Sequence, residues 1–223
     1  MKAAKRTRKR LSPTEKARVA ELFRRFSQTI EDPKTELEFQ DPFTLVVAVA
    51  LSAQATDKSV NKATEKLFAV ADTPEKMLAL GEEGVREHIR TIGLYRNKAK
   101  NVIALSQMLV DEFGGEVPRS RDELTRLPGV GRKTANVVLS MAFGEATIAV
   151  DTHIFRIANR IGLAPGKTPD EVENGLIRVI PDDYLFHAHH WLILHGRYTC
   201  VARRPKCDAC PVRDLCPSRD LFI

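Results

Sequence analysis

An all-α fold is predicted, from three features of the sequence. Its strong segments repeat apolar residues at the helical period, several open on a capping residue followed by proline, and no stretch sustains the period-2 alternation of a strand. Ser12-Pro13-Thr14-Glu15 combines an N-cap, a proline at the first helical position and a capping-box glutamate. Val19, Leu22, Phe23 and Phe26 then form one apolar stripe. Asp41-Pro42 starts the next helix, whose run from Leu45 to Leu51 is apolar all round, the mark of a buried central helix. A polar set, Ser52-Ala53-Gln54-Ala55-Thr56-Asp57, ends it. Val60, Ala63, Leu67 and Phe68 give a third helix. Thr73-Pro74-Glu75 opens a fourth that ends at Gly81, a fifth covers Glu82 to Thr91, and a sixth runs from Asn97 to Phe113 before Gly114-Gly115. Past residue 150, Thr168-Pro169-Asp170-Glu171 is another capping start. Asp182 to Tyr198 reads as a long helix whose histidines, His187, His189, His190 and His195, are expected to pack or to face solvent.

Between these lies a pair of short helices joined by a tight turn. Ser120 and Glu123 match a capping box and predict a helix from Arg121 to Leu127, stopped by Pro128-Gly129. Gly131 is expected to let the chain turn without a Cβ penalty. Ala135, Val138, Leu139 and Ala142 then recur at helical spacing up to Gly144. A Gly129-Val130-Gly131 hairpin at a helix start aims backbone N–H groups outward, a setting suited to a phosphate. Lys133 falls in the first turn of the second helix. A lysine at that position is a candidate nucleophile. Asp151 follows 18 residues later as the expected N-cap of the next helix. The hairpin is neither a Walker A loop nor a Rossmann fingerprint, since Arg132 separates Gly131 from Lys133 and a helix precedes the turn.

The charge excludes a uniformly basic body. Of 35 Lys and Arg against 29 Asp and Glu, Lys2, Lys5, Arg6, Arg8, Lys9 and Arg10 stand in the first ten residues with no acid. Without those six the body is formally neutral, so any nucleic-acid face comes from local segregation. The stretches from Arg86 to Lys100 and from Arg197 to Arg219 are basic, and those from Glu31 to Asp41 and from Asp170 to Asp183 acidic. Residues 1–10 read as a disordered arm, raising nonspecific DNA affinity or serving solubility. No apolar run approaches the ~18 residues of a membrane span, and the N-terminus lacks the hydrophobic core of a secretory signal. A cytoplasmic protein is expected, nucleoid-associated if bacterial. Nothing signals oligomerisation, so a monomer is expected.

All four cysteines, Cys200, Cys207, Cys210 and Cys216, cluster at the end with spacings of six, two and five residues. Such a set argues for a metal site or a disulfide knot, and without a secretory signal the disulfides are the weaker reading. Zinc more usually brings two Cys-x-x-Cys knuckles, and here there is one; spacing alone does not choose between zinc and iron–sulfur. Four cysteines leave no open position for substrate, so the metal reads as structural.

Leu127-Pro128-Gly129-Val130-Gly131-Arg132-Lys133-Thr134-Ala135 with Val150-Asp151-Thr152-His153 resembles the helix–hairpin–helix and Gly/Pro…Asp loop of the endonuclease III family of DNA glycosylases. The resemblance extends over nearly the whole chain after the first two dozen residues. It implies two helical lobes with a central cleft. One is a six-helix barrel over 35–145 with the helix–hairpin–helix at 120–143. The other is a discontinuous iron–sulfur domain of 11–34 plus 146–223. It makes the cysteines ligands of a [4Fe–4S] cluster, with Arg203, Arg204 and Lys206 between the first two ligands presented to phosphates. It makes Lys133 the nucleophile and Asp151 its partner. Gln54 and Leu94, the latter in Ile92-Gly93-Leu94-Tyr95, become the residues that fill the gap left by a flipped nucleotide and wedge the opposite strand.

The activity so implied is base-excision repair of duplex DNA. An oxidised pyrimidine is removed, and the strand is nicked 3′ to the site by β-elimination through a Lys133 Schiff base. The adenine-mismatch branch of the same fold fits less well. It needs a carboxylate in the early buried helix, where Val46 to Leu51 carries none, and it lacks the hairpin lysine. A non-catalytic DNA-binding module would use only the hairpin and the basic loop.

Overall fold

The computed structural model describes residues 11–30, 33 and 35–222; the basic tail of residues 1–10 lies outside them. Among the described residues every regular element is helical, and no helix is long and apolar enough to cross a membrane. The chain divides into two compact units, Lys34–Ala149 and a discontinuous one of Met1–Pro33 with Val150–Ile223.

The continuous unit holds α2 (Pro42–Leu51), α3 (Asp57–Phe68), α4 (Pro74–Ile89), α5 (Tyr95–Phe113), α6 (Arg121–Leu124) and α7 (Arg132–Phe143). Helix α2 starts as its sequence says it should. Asp41 accepts from Thr44 N, and the Thr44 hydroxyl accepts from the Asp41 N–H. Leu45, Val46, Val47 and Ala48 are fully buried, so α2 is the axis on which α3, α5 and α7 pack. Gly81 breaks α4 with a φ of 73°, where two helices meet in one element. Two boundaries differ from expectation. Helix α6 is a single turn ending at Leu124, with Leu127 N bonding only to Leu124 O in a tighter turn. Helix α5 begins at Tyr95, two residues early, because its N-cap is Leu94 in a left-handed conformation without a side-chain cap. No capping residue marks that start in the sequence.

The discontinuous unit holds α1 (Pro13–Thr29), α8 (Thr152–Arg160), α9 (Pro169–Val179) and α10 (Asp182–Tyr198), then 3-10 turns at Cys207–Ala209, Arg213–Leu215 and Arg219–Phe222. Helix α1 has the full Ser12–Glu15 capping box. It docks on α10 through aromatic packing: Phe23 meets Phe26 edge-on and stacks on Tyr184, and Trp191 Nε1 donates to Ile30 O at 2.8 Å. His189 and His195 are buried on the same helix. Thus α1, the first helix among the described residues, closes the core that the C-terminal helices leave open.

Candidate active site

In the continuous unit the hairpin between α6 and α7 is set by Gly129, not Gly131. Gly129 has φ +81°, and a Cβ there would lie 3.0 Å from Asn101 Nδ2 and 3.1 Å from Asn101 Cβ. Gly131 is extended (φ −90°, ψ 176°) with open space around its Cβ position, and serves as the N-cap of α7. The turn therefore needs glycine at the first position for both conformation and space. Val130 anchors it. Its side chain is 5% exposed, and its N–H turns inward to Leu127 O at 3.0 Å. The N–H groups of Gly129 and Gly131 make no hydrogen bond among the described residues and stand on an exposed turn. Lys133 is the second residue of α7 and is exposed.

Two further residues of this unit stand out by backbone strain. Among the described residues three non-glycines have positive φ: Gln54 (56°), Leu94 (59°) and Arg204 (55°). All three are positions singled out above for DNA contact. A left-handed non-glycine costs about 1–2 kcal/mol, and such strain gathers where a binding surface needs a particular side-chain direction. Gln54 follows α2 on an exposed turn, and Leu94 is 58% exposed, an isolated large hydrophobe at a helix start.

In the discontinuous unit Asp151 is half-buried at the head of α8. Its Oδ1 accepts from Ile154 N at 2.8 Å and its backbone O from Phe155 N, so one carboxylate oxygen caps the helix. The other end of α8 holds the cysteine loop. Arg156 donates to Cys200 O (3.2 Å) and Gly196 O (2.8 Å), and Arg160 to Val201 O (2.9 Å) and Cys200 Sγ (3.4 Å). Arg18 of α1 reaches Ile161 O, Gly162 O and Leu215 O. Arg203, Arg204 and Lys206 of this loop are exposed.

Cys200, Cys207, Cys210 and Cys216 all line one pocket, and all are free thiols. Among the described residues no three His, Cys, Asp or Glu side chains lie close enough to hold one metal ion. A single zinc draws its sulfurs to ~2.3 Å from one centre. Four irons, each taking one thiolate, suit sulfurs spread around a larger pocket. Burial pushes the Cys210 and Cys216 thiols above their ordinary range, so a bound metal's positive charge would be what holds those sulfurs as thiolates. The donor set fits an iron–sulfur cluster.

A hairpin presenting open amides at a helix start, together with a C-terminal four-thiol loop, defines a helix–hairpin–helix protein suited to a phosphate backbone and to an iron–sulfur cluster. Residues 47–182 match the model of the HhH-GPD superfamily base excision DNA repair proteins, and residues 200–216 match the iron–sulfur binding domain of endonuclease III. The chain is 59% identical over 198 residues to endonuclease III of Rickettsia conorii, covering 89% of this chain and 94% of that one. It is 56% identical over 205 residues to endonuclease III of Escherichia coli K12, covering 92% and 97%. Among solved structures it resembles a trapped endonuclease III–DNA covalent intermediate (TM-score 0.87, 45% identity, 95% of this chain and 99% of that one). A thermostable thymine-DNA glycosylase shares the fold at 23% identity (TM-score 0.81, 93% and 98% covered). The chain belongs to the endonuclease III family. It is a DNA-binding base excision repair glycosylase with AP lyase activity, and Cys200, Cys207, Cys210 and Cys216 lie within the stretch matching the family's iron–sulfur domain.

Proposed function

We propose that this enzyme excises damaged pyrimidines from duplex DNA, with Lys133 as nucleophile and Asp151 as its assisting carboxylate. The observation that carries the reading is the position of Lys133. It is an exposed amine at the start of the helix launched by a turn whose Gly129 and Gly131 amides point to solvent. Those amides grip a backbone phosphate. Gln54 and Leu94, held in strained conformations, enter the duplex as the damaged nucleotide swings out. Lys133 Nζ attacks C1′, the glycosidic bond breaks, and the base leaves with the bonding electrons and a proton. Asp151, through the oxygen that does not cap α8, stabilises the positive charge that develops on the sugar and helps to take protons from the amine. The sugar ring opens to a Schiff base on Lys133. Loss of a C2′ proton then expels the 3′ phosphate by β-elimination.

The two-lobe division proposed here assigns 35–145 to a six-helix barrel and 11–34 plus 146–223 to the iron–sulfur domain. The four cysteines would hold the [4Fe–4S] cluster, which supplies a rigid covalent centre for the loop. Arg203, Arg204 and Lys206 are the phosphate contacts of that loop. The protein acts as a monomer. Borohydride trapping on duplex DNA containing thymine glycol tests the reading. Wild-type protein is trapped and nicks the strand, and Lys133→Gln binds the same duplex without either. A Lys133→Gln protein still trapped on DNA would remove Lys133 from the mechanism.

A further inference from the structure

Asn136 lies one turn beyond Lys133 on α7 and is 1% exposed. Asparagine is a weak helix former, and its amide is costly to bury unless bonded. Here the amide Nδ2 donates to Ile148 O at 3.3 Å, and Thr147 Oγ1 donates back to Asn136 O at 2.5 Å. Thr147, Ile148 and Ala149 are buried, although the segment from Gly144 to Val150 forms no helix. A buried irregular segment must have its backbone polar groups bonded, and the Ile148 carbonyl is bonded by Asn136. Asn136 Oδ1 stays buried without a partner among the described residues. An apolar side chain would avoid that cost, so the amide is kept for what its donor does. After Ile148 only Ala149 and Val150 precede Asp151.

We infer that Asn136, clasped with Thr147 and Ile148, is a positioning residue for base excision, fixing the start of the tether that carries Asp151 to the helix that carries Lys133. The inference rests on the roles given above to those two residues. Along the chain Lys133 and Asp151 are 18 residues apart. Through the clasp the path is far shorter. Lys133 is three helical residues, about 4.5 Å of rise, from Asn136. Asp151 is three residues from Ile148, at most about 11 Å of extended chain. Releasing the clasp frees Ile148 from α7, and the only remaining link from Lys133 to Asp151 along this stretch is the 18 residues of chain.

The test is a double-mutant cycle on the cluster-loaded full chain, with base release measured in single turnover. Affinity is measured separately on a duplex carrying a tetrahydrofuran abasic analogue. Asn136→Leu keeps the number of side-chain heavy atoms and removes the donor; Thr147→Val keeps the shape and removes the hydroxyl, and carries the test if the first variant, whose methyls are bulkier than the amide, folds poorly. Asn136→Leu is expected to slow base release by about 10- to 100-fold, the scale of a misplaced catalytic group, with affinity unchanged. Thr147→Val is expected to slow it a few-fold. Neither should slow an Asp151→Asn protein further, because a residue acting through Asp151 is non-additive with its loss. If Asp151→Asn is slow while Asn136→Leu runs at the wild-type rate, or if the two losses multiply, the clasp role is overturned and the Asp151 assignment survives. A wild-type rate in Asp151→Asn overturns both.

Discussion

Replacing Gly129 with alanine should damage both the stability of the continuous unit and its grip on DNA, and the structure sets the size of the effect. At φ +81° an L side chain costs about 1–2 kcal/mol in backbone strain. The new methyl would also meet Asn101 Nδ2 at 3.0 Å and Asn101 Cβ at 3.1 Å. The Cβ atom belongs to the root of that side chain on α5, so it cannot swing aside; either the hairpin or α5 shifts by a few tenths of an ångström. A total near 2 kcal/mol or more lowers the melting temperature by roughly 4–8 °C for a chain of this size. The shift also re-aims the Gly129 and Gly131 amides, so affinity for a tetrahydrofuran-containing duplex should fall about tenfold, the loss of one charge-assisted contact. Gly131→Ala is the control. Its φ suits any residue and its Cβ meets nothing, so it should cost under about 1 kcal/mol as an N-cap change. Circular-dichroism melting and fluorescence-anisotropy titration read the two effects. A Gly129→Ala protein that melts and binds like wild type would refute the hairpin geometry; the reverse ranking of the two glycines would refute the assignment of the turn.

Asp151→Asn should melt like wild type, since asparagine caps as well as aspartate, while base release drops sharply; Asp151→Ala should in addition lose about 1 kcal/mol from the uncapped Ile154 N–H. Equal melting of the two variants would mean that the cap does not form. Arg204→Gly should relieve left-handed strain and melt no lower than wild type, yet bind DNA more weakly, with the salt slope of log K reduced by about 1 if Arg204 meets a phosphate. An unchanged slope would remove it from the interface. Lys98 on α5 is 7% exposed, its Nζ has no partner among the described residues, and burial pushes the amine below the ordinary lysine range. Lys98→Met should therefore stabilise at neutral pH by about 1–3 kcal/mol. Because the unfolded chain holds that proton to higher pH than the folded one, wild-type stability should rise relative to Lys98→Met as pH climbs toward the ordinary lysine range. A wild type more stable than the methionine variant at pH 7 would show that the amine is partnered.

The helices were legible because their signals are local. An N-cap bond joins residues three apart, so Ser12–Glu15, Asp41–Thr44, Thr73–Lys76 and Thr168–Glu171 mark their starts wherever the helices later pack. The cysteine spacing and the hairpin string were legible for the same reason, and with them the family and its iron–sulfur centre. Backbone conformation at single positions was not. Residues at Leu127–Lys133 read as a turn, but only packing against Asn101 shows that Gly129 is the indispensable glycine and that Val130 turns its N–H and side chain inward. Leu94 carries no capping chemistry, so the true start of α5 and its left-handed N-cap were invisible until the helix was docked. The buried asparagine of α7 looked like one more helical residue between Ala135 and Val137. Its bond to Ile148 joins groups 12 residues apart, and a contact of that range is decided when the chain folds back on itself, not by the preferences of its neighbours.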